Sequence, residues 1–315
     1  MPETASVTTR TIRFHSYGEP ADVLRLEETT VHAPASQRVR MKVRACGLNP
    51  ADWALCRGLF AGNLPRGIGL EAAGIVDAVG EDVRDVEVGQ LVFGPVDFVS
   101  TNSAGASDYA ILQHWTPVPS GLDEVHAAAL PMAVAIAYGS LDSLGVEAGR
   151  TVLINGAGTT VGFAAVQISL GRGARVIATA GDTFAARLRA LGAVVTAYGD
   201  GLPERVAALP GKQPDLILDT APVSGALPAL VQIAADPKRV MTISDFEAAK
   251  ALGVRSNLEE PGMRIRYDVL HEFADLAAQG KFLVPIARTF PLDDWKTALS
   301  VSEGQQARGK LILLP

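Results

Sequence analysis

The chain has 315 residues, room for two cores, and its 48% hydrophobic and 20% charged side chains exclude an intrinsically disordered protein. A formal net charge of -6, with no basic cluster interleaved with aromatics, gives no reason to expect nucleic acid as a partner. Only Cys46 and Cys56 are present, which excludes a disulfide framework and a Cys-rich metal cluster.

The polar start over residues 1–9 has no apolar signal core, so export is not expected and a reducing cytoplasm is the simplest home. Apolar runs elsewhere are broken by Gly, Pro or charge before membrane-spanning length, and no membrane partner is expected. Residues 11–14, 24–27 and 38–45 alternate polar and apolar side chains, as half-buried strands do. Residues 74–80 and 91–94 add further strands, with dense Pro and Gly between them. This predicts a short-stranded, barrel-like β domain over residues 1–121. From 123 to 144 the pattern turns helical, through Ala127 to Leu130 and on towards Gly145.

Val152 to Ile154 is a short apolar run suited to a strand buried on both faces. A glycine-rich turn follows, and then Val161, Ala164, Ala165 and Ile168 recur at helical spacing. Strand, glycine turn and helix in that order make an anion site, where free backbone N–H groups and the positive end of the helix converge. Strand-like segments at 174–179, 215–219 and 238–243, with a helical pattern at 183–191, predict an α/β domain with a doubly wound parallel sheet over residues 122–280. The tail, 281–315, holds strand patterns at 286–290 and 310–314 that have no place in that sheet. It is expected to return to the first domain, which is then discontinuous (1–121 and 281–315).

Residues 43–53 (Val-Arg-Ala-Cys-Gly-Leu-Asn-Pro-Ala-Asp-Trp), 69–76, 86–94, 128–132, the glycine turn and 308–313 (Arg-Gly-Lys-Leu-Ile-Leu) occur together, in order, over nearly the whole chain. In this the sequence resembles the medium-chain dehydrogenase/reductase superfamily, specifically its zinc-free quinone oxidoreductase branch. The resemblance implies a Rossmann doubly wound parallel sheet plus a β-rich, GroES-like catalytic domain. Zinc-dependent relatives place a Cys ligand where this chain has Asn49 and a His ligand where it has Leu70; an amide oxygen is weak for zinc and Leu has no donor. The five histidines show no metal-ligand spacing. The expectation is a protein with no metal.

The resemblance further implies that Asn49 sits near the nicotinamide, where its amide bonds cofactor or substrate; a turn residue before Pro50 is the plainer reading. Trp53, Phe60 and Phe93 are candidates for an aromatic substrate wall, or equally for core. Ile136 stands where relatives often carry Thr facing the nicotinamide, which makes the pocket more apolar. Gly156, Ala157, Gly158, Thr159, Thr160, Val161 and Gly162 form the diphosphate turn. Relatives usually have glycine at Thr159 and Thr160; here both hydroxyls are able to donate to phosphate if the turn keeps to ordinary φ/ψ space. The second nucleotide-binding strand ends on Thr179, Ala180 and Gly181 with no carboxylate for a ribose diol. Asp182 follows late and is read as a cap for a helix from about Thr183. Arg187 and Tyr198 match the phosphate side of NADPH enzymes, so NADPH is the expected cofactor. Ala221 and Ser244, at the ends of later strands, are candidate cofactor contacts.

Without a metal to polarise a carbonyl, the acceptor must itself delocalise charge. The expected function is therefore NADPH-dependent, zinc-free hydride transfer to a small-molecule quinone or α,β-unsaturated carbonyl. Alternatives are an enoyl reductase acting on a thioester or natural-product intermediate, and a non-catalytic NADPH-binding sensor. A homodimer is implied by the resemblance, through an exposed sheet edge.

Overall fold

A computed structural model describes residues 6–211 and 213–315. The first five residues of the polar start read over 1–9 lie outside the described residues. The chain divides into two compact units: one runs to Met132 and resumes at Tyr267–Pro315, and the other is Ala133–Arg266.

In the first unit, Val7–Phe14 pairs antiparallel with Leu24–Val31 and with Arg66–Gly67 in a three-stranded sheet. A seven-stranded sheet is centred on Val39–Leu48, in which Val39, Met41, Val43 and Ala45 are buried while Lys42 and Arg44 face water. This alternation is the one a sheet with a single wet face requires. Glu71–Val79 lies on one side of the central strand and Lys310–Leu314 on the other, with Leu311 opposite Leu48 and Leu313 opposite Cys46. The tail thus completes the first unit's main sheet.

The second unit holds six parallel strands in the order Val194–Thr196, Arg175–Thr179, Thr151–Asn155, Leu216–Asp219, Val240–Thr242, Arg255–Ser256. Every residue of the central Thr151–Asn155 strand is buried, as the interior of a parallel sheet covered by helices demands.

Four expectations change. The domain limits move from 121/122 and 280/281 to 132/133 and 266/267, because the flanking segments are tied to the first unit: the Met132 N–H donates to Glu71 Oε2 at 2.7 Å, and Tyr267 stacks on His114 with ring centroids 5.6 Å apart. The single helical pattern at 123–144 is two helices, Glu124–Ala127 and Leu130–Leu144. This helical run of 21 residues has a mean hydropathy of 1.4, so by length and composition it matches a membrane span, contrary to the reading that no apolar run is long enough; it is 78% buried within the protein, as core helices are. Finally, Trp53 and Phe93 are core and not substrate wall. Phe93 is fully buried in the strand Leu91–Pro95. Trp53 is 2% exposed, and its indole N–H donates to Ser302 Oγ at 2.8 Å.

That indole bond ties the helix Pro50–Cys56 to the tail helix Trp295–Glu303. A Ser302→Ala variant leaves the indole N–H unpaired and should lose about 1–3 kcal/mol in urea unfolding, with the slope of the transition unchanged.

Candidate functional site

Each unit carries one concentration of polar groups that its fold positions. In the second unit it is the glycine turn. Gly156 leaves the central strand with φ +75, and a Cβ there would lie 2.5 Å from the Ala221 nitrogen, so both conformation and space require glycine. A row of side chains at the carboxyl ends of four strands holds the turn. Thr179 Oγ1 accepts from the Gly156 N–H at 2.9 Å and donates to Asn155 Oδ1 at 2.7 Å. Asn155 Nδ2 donates to Asp219 Oδ1 at 2.8 Å, and Thr242 Oγ1 donates to Asp219 Oδ2 at 2.9 Å. Asp219 has these neutral donors and the Ala221 N–H around it; burial pushes its carboxyl above the usual carboxylate range.

Thr159 is the N-cap of the helix Thr160–Gly171, with φ -74 and ψ 163, so the backbone at Thr159 is in ordinary space. Its hydroxyl accepts from the Gly162 N–H at 3.0 Å and donates to Thr220 Oγ1 at 3.2 Å. It is therefore not free for phosphate, which corrects the expectation for Thr159; Thr160, the first helical residue, keeps its hydroxyl. The amides of Gly156, Ala157, Thr159, Gly162 and Phe163 all have protein partners. Those of Gly158, Thr160 and Val161 have none among the described residues. Three open N–H groups at the start of a 12-residue helix suit an anionic diphosphate.

Around the turn, the remaining candidates divide. Thr179 is fully buried and props the turn from beneath, so its side chain is not a ligand contact. Ala180 is 6% exposed and donates its N–H to the Thr196 carbonyl. Ala221 and Ser244 are committed to each other, the Ser244 hydroxyl donating to the Ala221 carbonyl at 2.5 Å. Ile136 is buried in the helix Leu130–Leu144. Arg187 is exposed, its guanidinium 5.8 Å from the Phe163 ring centre. Tyr198 is exposed, and its hydroxyl lies 3.6 Å from where a Cβ on Gly181 would stand, beside the start of the helix Asp182–Leu191. Gly181, not Asp182, is the N-cap of that helix, and no side chain caps it; the capping role read for Asp182 is withdrawn. Sequence reasoning missed Phe184, whose ring edge comes within 3.0 Å of a Cβ position on Gly158 and stacks edge-on against Phe163.

In the first unit the concentration is a buried charge cluster. Lys310 and Glu71 are 1% and 0% exposed and form an ion pair. Asn49 bridges both: its Oδ1 accepts from Lys310 Nζ at 2.6 Å, and its Nδ2 donates to Glu71 Oε1 at 2.9 Å. The amide orientation is fixed by charge, since flipping it would set NH₂ against the ammonium. The second Nδ2 hydrogen has no partner among the described residues. Gly47 leaves the room, because a Cβ there would fall 2.8 Å from both Glu71 Oε1 and Lys310 Cε. Next to this cluster Asp52, fully buried, accepts from the Asn49 N–H at 2.7 Å and the Gly69 N–H at 2.6 Å. At the third position of the helix Pro50–Cys56, it closes a capping box with Asn49. Burial pushes its carboxyl up to about 6, against the pull of those two amides. Burial also drives the Cys46 thiol well up, so it is no nucleophile. Phe60, by contrast with Trp53 and Phe93, is 55% exposed and at φ +52. Among the described residues, no group of three or more His, Cys, Asp or Glu side chains is arranged to hold a metal ion.

The fold comprises two units, each with its own candidate site, and comparison with known proteins shows what the chain is similar to. The alcohol dehydrogenase GroES-like domain family matches residues 35–119, and the zinc-binding dehydrogenase family matches residues 191–313. The chain is 37% identical over 178 residues to a quinone oxidoreductase of Lama guanicoe, covering 55% of this chain and 52% of that one. It is 40% identical over 155 residues to erythronolide synthase EryA2 of Saccharopolyspora erythraea, covering 49% of this chain and 4% of that one. The chain thus spans about half the length of the quinone oxidoreductases it matches. The solved quinone oxidoreductase of Coxiella burnetii superposes with a TM-score of 0.83 at 25% identity, covering 98% of this chain and 100% of that one. In sequence and in fold the chain is similar to proteins of the medium-chain dehydrogenase/reductase superfamily, and among them to quinone oxidoreductases. Its fold is that of the superfamily, a GroES-like domain plus a Rossmann-like parallel sheet.

Two outcomes are expected of the buried cluster. Lys310→Met strands the Glu71 carboxylate and should cost about 3–5 kcal/mol by chemical denaturation, most of it regained when Glu71→Gln is added. Asp52, whose folded pKa is raised, holds a proton in the folded state that the unfolded chain has released. Its stabilising effect is present below about pH 4 and lost as the pH climbs through about 6, a swing of about 3 kcal/mol. Thermal midpoints of the wild type should therefore fall relative to Asp52→Asn across that interval.

Proposed function

We propose that this protein is an NADPH-dependent, zinc-free oxidoreductase that passes hydride to a small electron-poor acceptor, a quinone or an α,β-unsaturated carbonyl. The observation that carries the reading is the set of three open amides, Gly158, Thr160 and Val161, on a turn otherwise fully hydrogen-bonded. Such a turn binds a diphosphate without rearranging. The bound dihydronicotinamide would supply the hydride. Arg187 and Tyr198, both exposed, supply the cationic and hydroxyl donors that a 2′-phosphate needs.

The zinc-free reading rests on the donor set. Leu70 has no ligand atom, and the Asn49 oxygen already faces the Lys310 ammonium, which leaves it no use for a second cation. An acceptor that delocalises its own negative charge fits such a site. The free Asn49 N–H is the group offered to it. A homodimer through an edge of the six-stranded sheet, Val194–Thr196 or Arg255–Ser256, and a cytoplasmic setting go with this reading. Enoyl reduction of a natural-product intermediate is the second reading, favoured by the match to part of the erythronolide synthase.

The test follows reduced-nicotinamide absorbance with NADPH and NADH against quinones, enones, enoyl thioesters and alcohols run in reverse. The expected result is turnover of quinones and enones, unchanged by chelator. Preference for enoyl thioesters would support the second reading; tight NADPH binding with no oxidation of any acceptor would favour a sensor. Arg187→Ala should raise the KM for NADPH about 10-fold or more, the worth of one charge-assisted hydrogen bond, and leave NADH unchanged. Equal effects on both coenzymes would remove Arg187 from the phosphate site.

A further inference from the structure

Tyr267 is a phenol near the buried cluster with no role in the site so far described. It opens the segment in which the chain rejoins the first unit. Its ring packs on His114, with centroids 5.6 Å apart. The His114 carbonyl lies against Gly94, 2.3 Å from where a Cβ would stand. Gly94 is in register opposite Ala72, the residue after Glu71. The phenol is thereby held at the end of the strand pair that presents Glu71 to Asn49.

The side chain is half-buried, and among the described residues its hydroxyl has no hydrogen-bond partner. Glu71 does not supply one, because its two oxygens are occupied by Lys310, Asn49 and the Met132 N–H. Burial, with the Glu71 charge added, pushes the phenol up to about 12, so it remains a neutral O–H donor throughout the working pH range. A neutral donor whose ring is held against His114, unpaired among the described residues, is suited to an oxygen that gains negative charge.

We propose that the Tyr267 hydroxyl donates a hydrogen bond to the carbonyl oxygen of the acceptor. The inference rests on the quinone and enone reading above. When hydride reaches the conjugated carbon, the π electrons move onto that oxygen, and the O–H dipole of Tyr267 stabilises the charge. No bond of the phenol breaks; solvent protonates the released enolate or hydroquinone anion. Preorganised donors of this kind are worth most where water is excluded.

The test uses Tyr267→Phe in the full chain, which keeps the ring and its stack on His114. With NADPH and 1,4-naphthoquinone, kcat should fall about 100-fold, the usual cost of one such donor, with KM nearly unchanged. The thermal midpoint should equal that of the wild type. A second readout needs no turnover: the infrared carbonyl band of bound acetophenone should lie at lower frequency in the wild type than in Tyr267→Phe. An active wild type matched by Tyr267→Phe in both kcat and carbonyl band would overturn the role of Tyr267 alone. A wild type inactive towards every quinone and enone would remove the functional reading, and this inference with it.

Discussion

The first unit depends on one interaction, the ion pair between Glu71 and Lys310 in the absence of solvent. Two charges buried this far cost more in lost hydration than their mutual attraction returns, unless every remaining lone pair and proton finds a partner. Here much of that demand is met: Asn49 takes one side of each ion, and the Met132 N–H takes the second carboxylate oxygen. Because the three side chains come from the central strand's end, its neighbour strand and the tail strand, the pair also fixes how these strands lie together. These bonds leave Asn49 a single hydrogen without a partner among the described residues, so its chemistry is set by its surroundings and not by its own flexibility.

The second unit uses the opposite device. Its buried carboxylate, Asp219, meets only neutral donors, and the row from Thr179 through Asn155 to Thr242 distributes hydrogen bonds over four strand ends. The result is a turn in which five amides have partners and three, those of Gly158, Thr160 and Val161, have none among the described residues. Affinity for an anion then costs little ordering, since the loop is already held in shape.

Much of this was legible in the sequence, for physical reasons. The uninterrupted apolar run at Val152 to Ile154 and the glycine turn after it identify a parallel sheet, and the alternation in 38–45 identifies a half-wet strand. The unplaced tail strands pointed back to the first unit. Other features were hidden because periodicity reports faces and not partners. Trp53 and Phe93 look like any exposed aromatic until Ser302, 249 residues from Trp53, is seen beneath the indole. Thr159 resembles a phosphate ligand until it is seen to cap its own helix. The domain limits were misplaced because Met132 and Tyr267 are tied to the first unit by a backbone N–H and a ring stack, neither of which alters composition. One signal for the cluster was present: Glu71 and Lys310 are isolated charges within apolar strands, and such charges need each other.

The distance between them along the chain has a consequence for biosynthesis. Glu71 leaves the ribosome long before Lys310, so the nascent chain carries a carboxylate destined for the interior with no cation to neutralise it. The segment 133–266 has all its own strands by then and is able to form in the interval. The main sheet of the first unit must wait, unfinished, for its final strand, and during that wait its open edge is the surface most in need of a chaperone.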